Sequence, residues 1–195
     1  MTNGFNNVAI GTAAMKDANA VCCSVGIGVN ALNSIAATGD DNVAIGTNAM
    51  FNVTTTTDSV AIGRDAMGSG IGSGDCNTAI GMCAAKATTS GCNNTAIGAH
   101  SMENLVSGEF NTGLGFKSLC SIVGGDRNVA LGNTAGLSIT SGCDNIALGH
   151  NALCGSTTGC YNVAIGRRAM TKAVTGEDNV AIGQEVLFEN TTGEC

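Results

Sequence analysis

Two histidines, ten cysteines and a group of carboxylates are the residues of this 195-residue chain whose types could do chemistry. A zinc site needs such donors to converge, and no cysteine spacing here is that of a zinc finger; the adjacent Cys22 and Cys23 do not read as a ligand pair. His100 and His150 stand 50 residues apart, each in a variable pair that the pattern below predicts to face water. The carboxylates Asp40, Asp41, Asp58, Asp75, Asp144, Asp178 and Glu177 all fall just before a recurring Asn or Ser, at one corner of a repeated unit. Such a stripe either attracts Ca²⁺ or solvates an edge, and solvation is the favoured reading. "GIGVNA" at 26–31 and "GLGFKS" at 113–118 look like dinucleotide loops, but no helix or ribose-binding acid follows. "GSGIGSG" at 68–74 lacks the Lys of a phosphate loop. With no Ser, His and acid set, the sequence assigns no catalytic residue, no cofactor and no metal ligand, and an enzyme is not expected.

What positions these residues is a repeat. Each "AIG"-like phrase closes on a glycine: Gly11, Gly28, Gly46, Gly63, Gly81, Gly98, Gly115, Gly132, Gly149, Gly166 and Gly183, spaced 17 residues eight times and 18 twice. Periodicity of this kind is the signature of a stacked array. The residue before the glycine is always Ile or Leu (Ile10, Ile27, Ile45, Ile62, Ile80, Ile97, Leu114, Leu131, Leu148, Ile165 and Ile182), and this series is predicted to be the buried core ladder. Two places earlier stands Val, Thr or Ile, with Ala or Gly between, the alternation of a strand. Four before the glycine is Asn, or Ser at Ser24 and Ser59, which suits a turn. After the glycine come two unrestricted residues, then Ala or Ser, then most often Met or Leu. A weaker β-branched patch (Ile35, Val53, Leu105, Ile122, Ile139) and a second glycine, such as Gly91 or Gly125, complete the unit.

Residues 1–195 therefore form a single all-β domain, a parallel β-solenoid of about eleven 17-residue rungs with two short strands per rung. If each unit coils once, like residues stack at the strand spacing of about 4.8 Å, giving a rod of roughly 50 Å. The histidines, three rungs apart, are then about 14 Å from each other, too far for one metal. A helical array is the competing fold, disfavoured by 29 glycines and the clustered β-branched residues. Aromatics are 3 %, so the core is aliphatic; the net charge of −7, with no basic cluster beyond Arg167 and Arg168, disfavours nucleic acid. No apolar run reaches the ~20 residues of a membrane helix, and the start "MTNGFNNVAIG" does not have the basic and apolar regions of a signal peptide.

Register places Cys143 over Cys160, and Cys76 over Cys92, so these four are candidate disulfide partners or simply small apolar fillers. Cys154 shares a loop with Cys160 and competes with it. Both termini match half-units, which suggests ends that stack on further copies, with Cys22, Cys23 and Cys195 as candidate inter-subunit links.

The phrase "NVAIG" with Ala two residues on, in register through eleven units, resembles the head repeat of trimeric autotransporter adhesins and related phage and viral tail-fibre repeats. The resemblance implies a left-handed β-roll, assembly into a homo-trimer, and an inner trimer face built from the strand carrying Val43 and Ile45 and its copies. The expected function is a self-associating structural or surface fibre, extracellular or on a virion, whose partners are itself, as trimer or end-to-end filament, and a host-surface protein or glycan. Neither nucleic acid nor membrane is an expected partner. The alternatives are an adhesin head binding host surface or matrix and, on the scattered Thr runs, an ice-binding solenoid.

Overall fold

The computed structural model describes residues 4–18, 21–33, 39–70, 74–172 and 175–189. Eleven three-residue strands follow one another: β1 Val8–Ile10, β2 Val25–Ile27, β3 Val43–Ile45, β4 Val60–Ile62, β5 Thr78–Ile80, β6 Thr95–Ile97, β7 Thr112–Leu114, β8 Val129–Leu131, β9 Ile146–Leu148, β10 Val163–Ile165 and β11 Val180–Ile182. They form one parallel sheet in sequence order, with like over like: Val43 opposes Val60, Ala44 opposes Ala61, Ile45 opposes Ile62. The chain is a β-solenoid with a rung every 17 or 18 residues.

The expected second strand is not among the described strands. The rest of each rung is a chain of tight turns that still hydrogen-bond to the neighbouring rung: Val106 N–H donates to Val123 O at 3.0 Å, and Val123 N–H to Thr140 O at 2.9 Å. The reason is backbone handedness. Three non-glycine positions in each rung recur near φ +55°, for example Arg127 at 54°, Thr134 at 54° and Leu119 at 50°. Left-handed residues reverse the chain and cannot continue an extended strand. Where the third of these places falls in the eighth rung the residue is Gly136, φ 60°.

The core reverses one expectation. The Ile and Leu series does stack copy on copy, but it does not line the interior. The central Ala of each strand (Ala44, Ala61, Ala79, Ala96, Ala130) is fully buried and the residues on either side of it point outward. Period-two alternation puts Val and Ile on one face and Ala on the other without saying which face is inside. The interior is narrow, and it is filled from the turns: Met50, Met102, Leu119, Leu153 and Met170 with Leu105, Ile122 and Ile139, all at most 1 % exposed. Small strand residues against long turn residues give the complementary volumes a close-packed interior requires.

A second ladder runs beside the strands. The recurrent Asn is buried, and it does more than shape its own turn. Asn128 Nδ2 donates to Gly142 O at 2.7 Å, one-half rung on, and its backbone N–H donates to Asn111 Oδ1 in the rung before at 2.9 Å. The same pair of bonds recurs at Asn94, Asn111, Asn145 and Asn162. Ser24 and Ser59 keep the column going, each Oγ accepting the next Asn N–H at 3.0 Å. The second glycine of the unit leaves room for this approach: a Cβ on Gly91 would lie 2.6 Å from Gly108 O.

Candidate functional site

Because the strands turn Ala inward, the sheet presents two straight columns to solvent. One holds Val, Thr or Ile (Val60, Thr78, Thr95, Thr112, Val129, Ile146) and the other the Ile and Leu series. Stacking on their own copies covers these side chains only in part: Val129 is 36 % exposed and Leu131 44 %. Exposure continues at Val29, Met82 and Phe116, just past the Ile column, and at Phe110 and Tyr161, one residue beyond the buried Asn. Eleven rungs at the parallel strand spacing make a strip about 50 Å long and ~10 Å wide, on the order of 500 Å². That is near the upper end of apolar patches on monomers, and such patches mark interaction sites. Neither column contains an ionisable residue. Among the described residues no pocket opens anywhere on the rod.

The acidic corner serves the backbone. Asp40 Oδ1 accepts Cys22 N–H and Asp75 Oδ1 accepts Thr57 N–H, each at 2.8 Å, so both cap a donor of the rung before. Asp144 takes a two-point bond from Arg127, Nε to Oδ1 at 2.8 Å and Nη2 to Oδ2 at 2.9 Å. That hydrogen bond holds the Asp144 carboxyl below the ordinary carboxylate range. The pair is surface-exposed, where such bridges contribute little.

The thiols differ from the expected bridges. All nine described cysteines are free, and Cys195 lies outside the described residues. In an in-register stack, side chains in equivalent places point the same way. Cys143 Sγ, Cys92 Sγ and Cys160 Sγ each donate to the carbonyl two residues back in their own corner, those of Ser141, Ser90 and Thr158. Cys160 Sγ also accepts Cys143 N–H at 3.1 Å. The sulfurs bond along their own rungs and to the backbone, so neither Cys143 and Cys160 nor Cys76 and Cys92 are bridged.

His150 faces water as expected, but His100 does not. It is the second residue after its glycine, a left-handed position at φ 58° that directs the side chain along the rod's flank, and the imidazole is only 24 % exposed. The same column carries a run of cross-rung amide bonds: Asn30 Nδ2 to Asn48 Oδ1 at 3.1 Å and Asn48 Nδ2 to Asp65 Oδ1 at 3.0 Å. Only the first residue of the variable pair is therefore a free display position. Comparison with protein-family models, curated proteins and solved structures returns no match for this chain.

Proposed function

We infer that the protein is a structural rod that assembles side by side with two further copies of itself, as a surface or virion fibre outside the cell. The observation that carries this reading is the pair of exposed aliphatic columns with no charge in them. A surface whose features repeat every rung is matched best by one of the same pitch, and another copy of the chain has that pitch. Burying the strip between copies removes the largest apolar surface the fold leaves in water. The resemblance of the repeat to trimeric adhesin heads favours three copies. The columns that pack or bond from rung to rung keep their residue types, whereas the first residue after each glycine changes freely: Arg64, Met82, Ala99, Phe116, Asn133, His150, Arg167. In an assembly sealed along the strip, that column is left on the outer surface, where it is suited to contact a host-surface protein or glycan.

The test is Leu131→Glu combined with Ile165→Glu, two charges in the outward column. Sedimentation equilibrium at micromolar concentration should give a trimer for the natural chain and a monomer for the variant, with the β-sheet circular dichroism of the two alike. A natural chain that stays monomeric up to millimolar concentration would refute lateral assembly.

A further inference from the structure

The cluster at His100 is built from rung arithmetic. Cys83 lies 17 residues before His100 and directly under it, the stacking fixed by His100 N–H donating to Met82 O at 2.9 Å. Glu103 lies three residues after His100 in the same turn, with Oε2 2.9 Å from His100 Nδ1. One ligand atom from each of Cys83, His100 and Glu103 lies within 4.8 Å of the other two, the only such trio among the described residues. Cys83 is 7 % exposed, while His100 and Glu103 are half-buried, so the donors meet at the edge of the interior with one side open. The Cys120 thiol, one rung above Glu103, is 4.0 Å from the same Oε2.

We propose that Cys83, His100 and Glu103 form a zinc site that clips two rungs of the solenoid together, with water in the fourth position. The donor set is one thiolate, one imidazole and one carboxylate, all usual ligands of this borderline-soft ion. Tetrahedral zinc, with bonds of ~2.0–2.3 Å, holds its donors ~3.3–3.8 Å apart, so the trio needs a contraction of about an ångström and no backbone movement. The column argues for a selected trio. At this left-handed place other rungs carry Asn30, Asn48, Asp65 and Asn151, residues suited to positive φ, and Cys83 is the only cysteine there.

On binding, the Cys83 S–H bond breaks, the proton goes to solvent and the sulfur bonds the metal; His100 enters neutral. The charges facing the trio are Lys86, Arg64 and Asp65 with Glu103 itself, Lys117 lies above His100 in its column, and the Cys120 thiol adjoins Glu103. Burial is the largest influence on Cys83 and pushes its thiol above the ordinary value, so near neutral pH the metal displaces a proton. Affinity then rises about tenfold per pH unit between pH 7 and 8, the slope for one proton released.

The experiment titrates the full chain with Co²⁺ and then Zn²⁺ under a phosphine reductant. Cobalt should bind at one equivalent per chain with a thiolate charge-transfer band and the intense visible bands of four-coordination, and zinc should displace it. Cys83→Asn and His100→Asn place in this column the residue it already carries at 30, 48 and 151, so both variants should fold with unchanged circular dichroism. Each should lower affinity by about 100-fold or more. Cys143→Ser, remote from the trio, should leave the titration unchanged. A cobalt spectrum that survives in both Asn variants, or lacks the thiolate band in the natural chain, would overturn the site.

Discussion

Gly132→Ala is expected to remove several kcal/mol of stability and to divide the rod's unfolding into two steps. Gly132 sits at φ +137°, a region essentially closed to side chains, and a methyl there would stand 2.8 Å from both the carbonyl carbon and oxygen of Gly149 in the next rung. Both atoms are backbone, so no rotamer change relieves the contact and the two rungs must separate locally. The conformational cost is about 1–3 kcal/mol and the overpacking about as much again. Against a domain stability of roughly 5–15 kcal/mol this is a large fraction. Solenoid stability is close to a sum of rung terms and nearest-neighbour interfaces, so damage to one interface uncouples the rungs on its two sides. In urea titration followed by circular dichroism, the natural chain should unfold in one transition. The variant should show an earlier, broader one, and amide exchange should accelerate first between Leu114 and Gly149. Asn133→Ala, next in the chain but exposed, should shift stability by no more than about 0.5 kcal/mol. A Gly132→Ala variant as stable as Asn133→Ala would mean that the glycine column does not set the rung contact.

The glycine column was legible because each copy falls at the same place in an eleven-fold repeat, and the parallel, in-register sheet follows from the same spacing. Orientation was not legible. Val43-Ala44-Ile45 alternates correctly whichever side faces in, and assigning the larger residue to the core put Ile45 and its copies inside. The actual interior depends on how wide the rung is. That width is set by left-handed turns at residues such as Met50 and Leu119, φ 51° and 50°, whose types carry no signal for positive φ. The same turns explain why the β-branched patch at Val53 and Leu105 is not a strand. Asn was assigned to turns, correctly for its position. Its cross-rung bonds become visible only when the columns are superposed at atomic spacing. The Cys83, His100 and Glu103 trio was readable by subtraction, since 100 less 17 is 83. It went unseen because zinc motifs were sought along the chain, while in a solenoid neighbours lie one period apart.

The Asn column allows a graded test in which the sign of a pH effect, as well as its size, is fixed in advance. Asn128 Nδ2 donates to Gly142 O and its Oδ1 accepts Asn145 N–H at 3.1 Å, both inside the rod. Asn128→Ala leaves that carbonyl and that N–H without partners, at ~1–3 kcal/mol for each orphaned group, so a loss of about 3–5 kcal/mol is expected. Asn128→Ser should lose less, because Ser24 and Ser59 show that a hydroxyl in this column still accepts the next N–H, although it does not reach the carbonyl half a rung on. Asn128→Asp preserves shape but replaces the amide donor by an oxygen facing Gly142 O. Buried and beside a carbonyl, the introduced carboxyl is favoured in its protonated form, whose O–H can donate as the amide did. Its folded pKa therefore lies above the ~3.9 of an unfolded Asp, and the folded state binds more protons than the unfolded one between the two values. Stability must then fall as pH rises through that window, by up to about 1.4 kcal/mol per pH unit. Urea midpoints at pH 4 and pH 7 should rank natural chain, Ser, Ala at both values, with the Asp variant near Ser at pH 4 and lowest at pH 7. An Asp variant equally stable at the two pH values would show that position 128 is solvated and that the ladder does not hold the rungs.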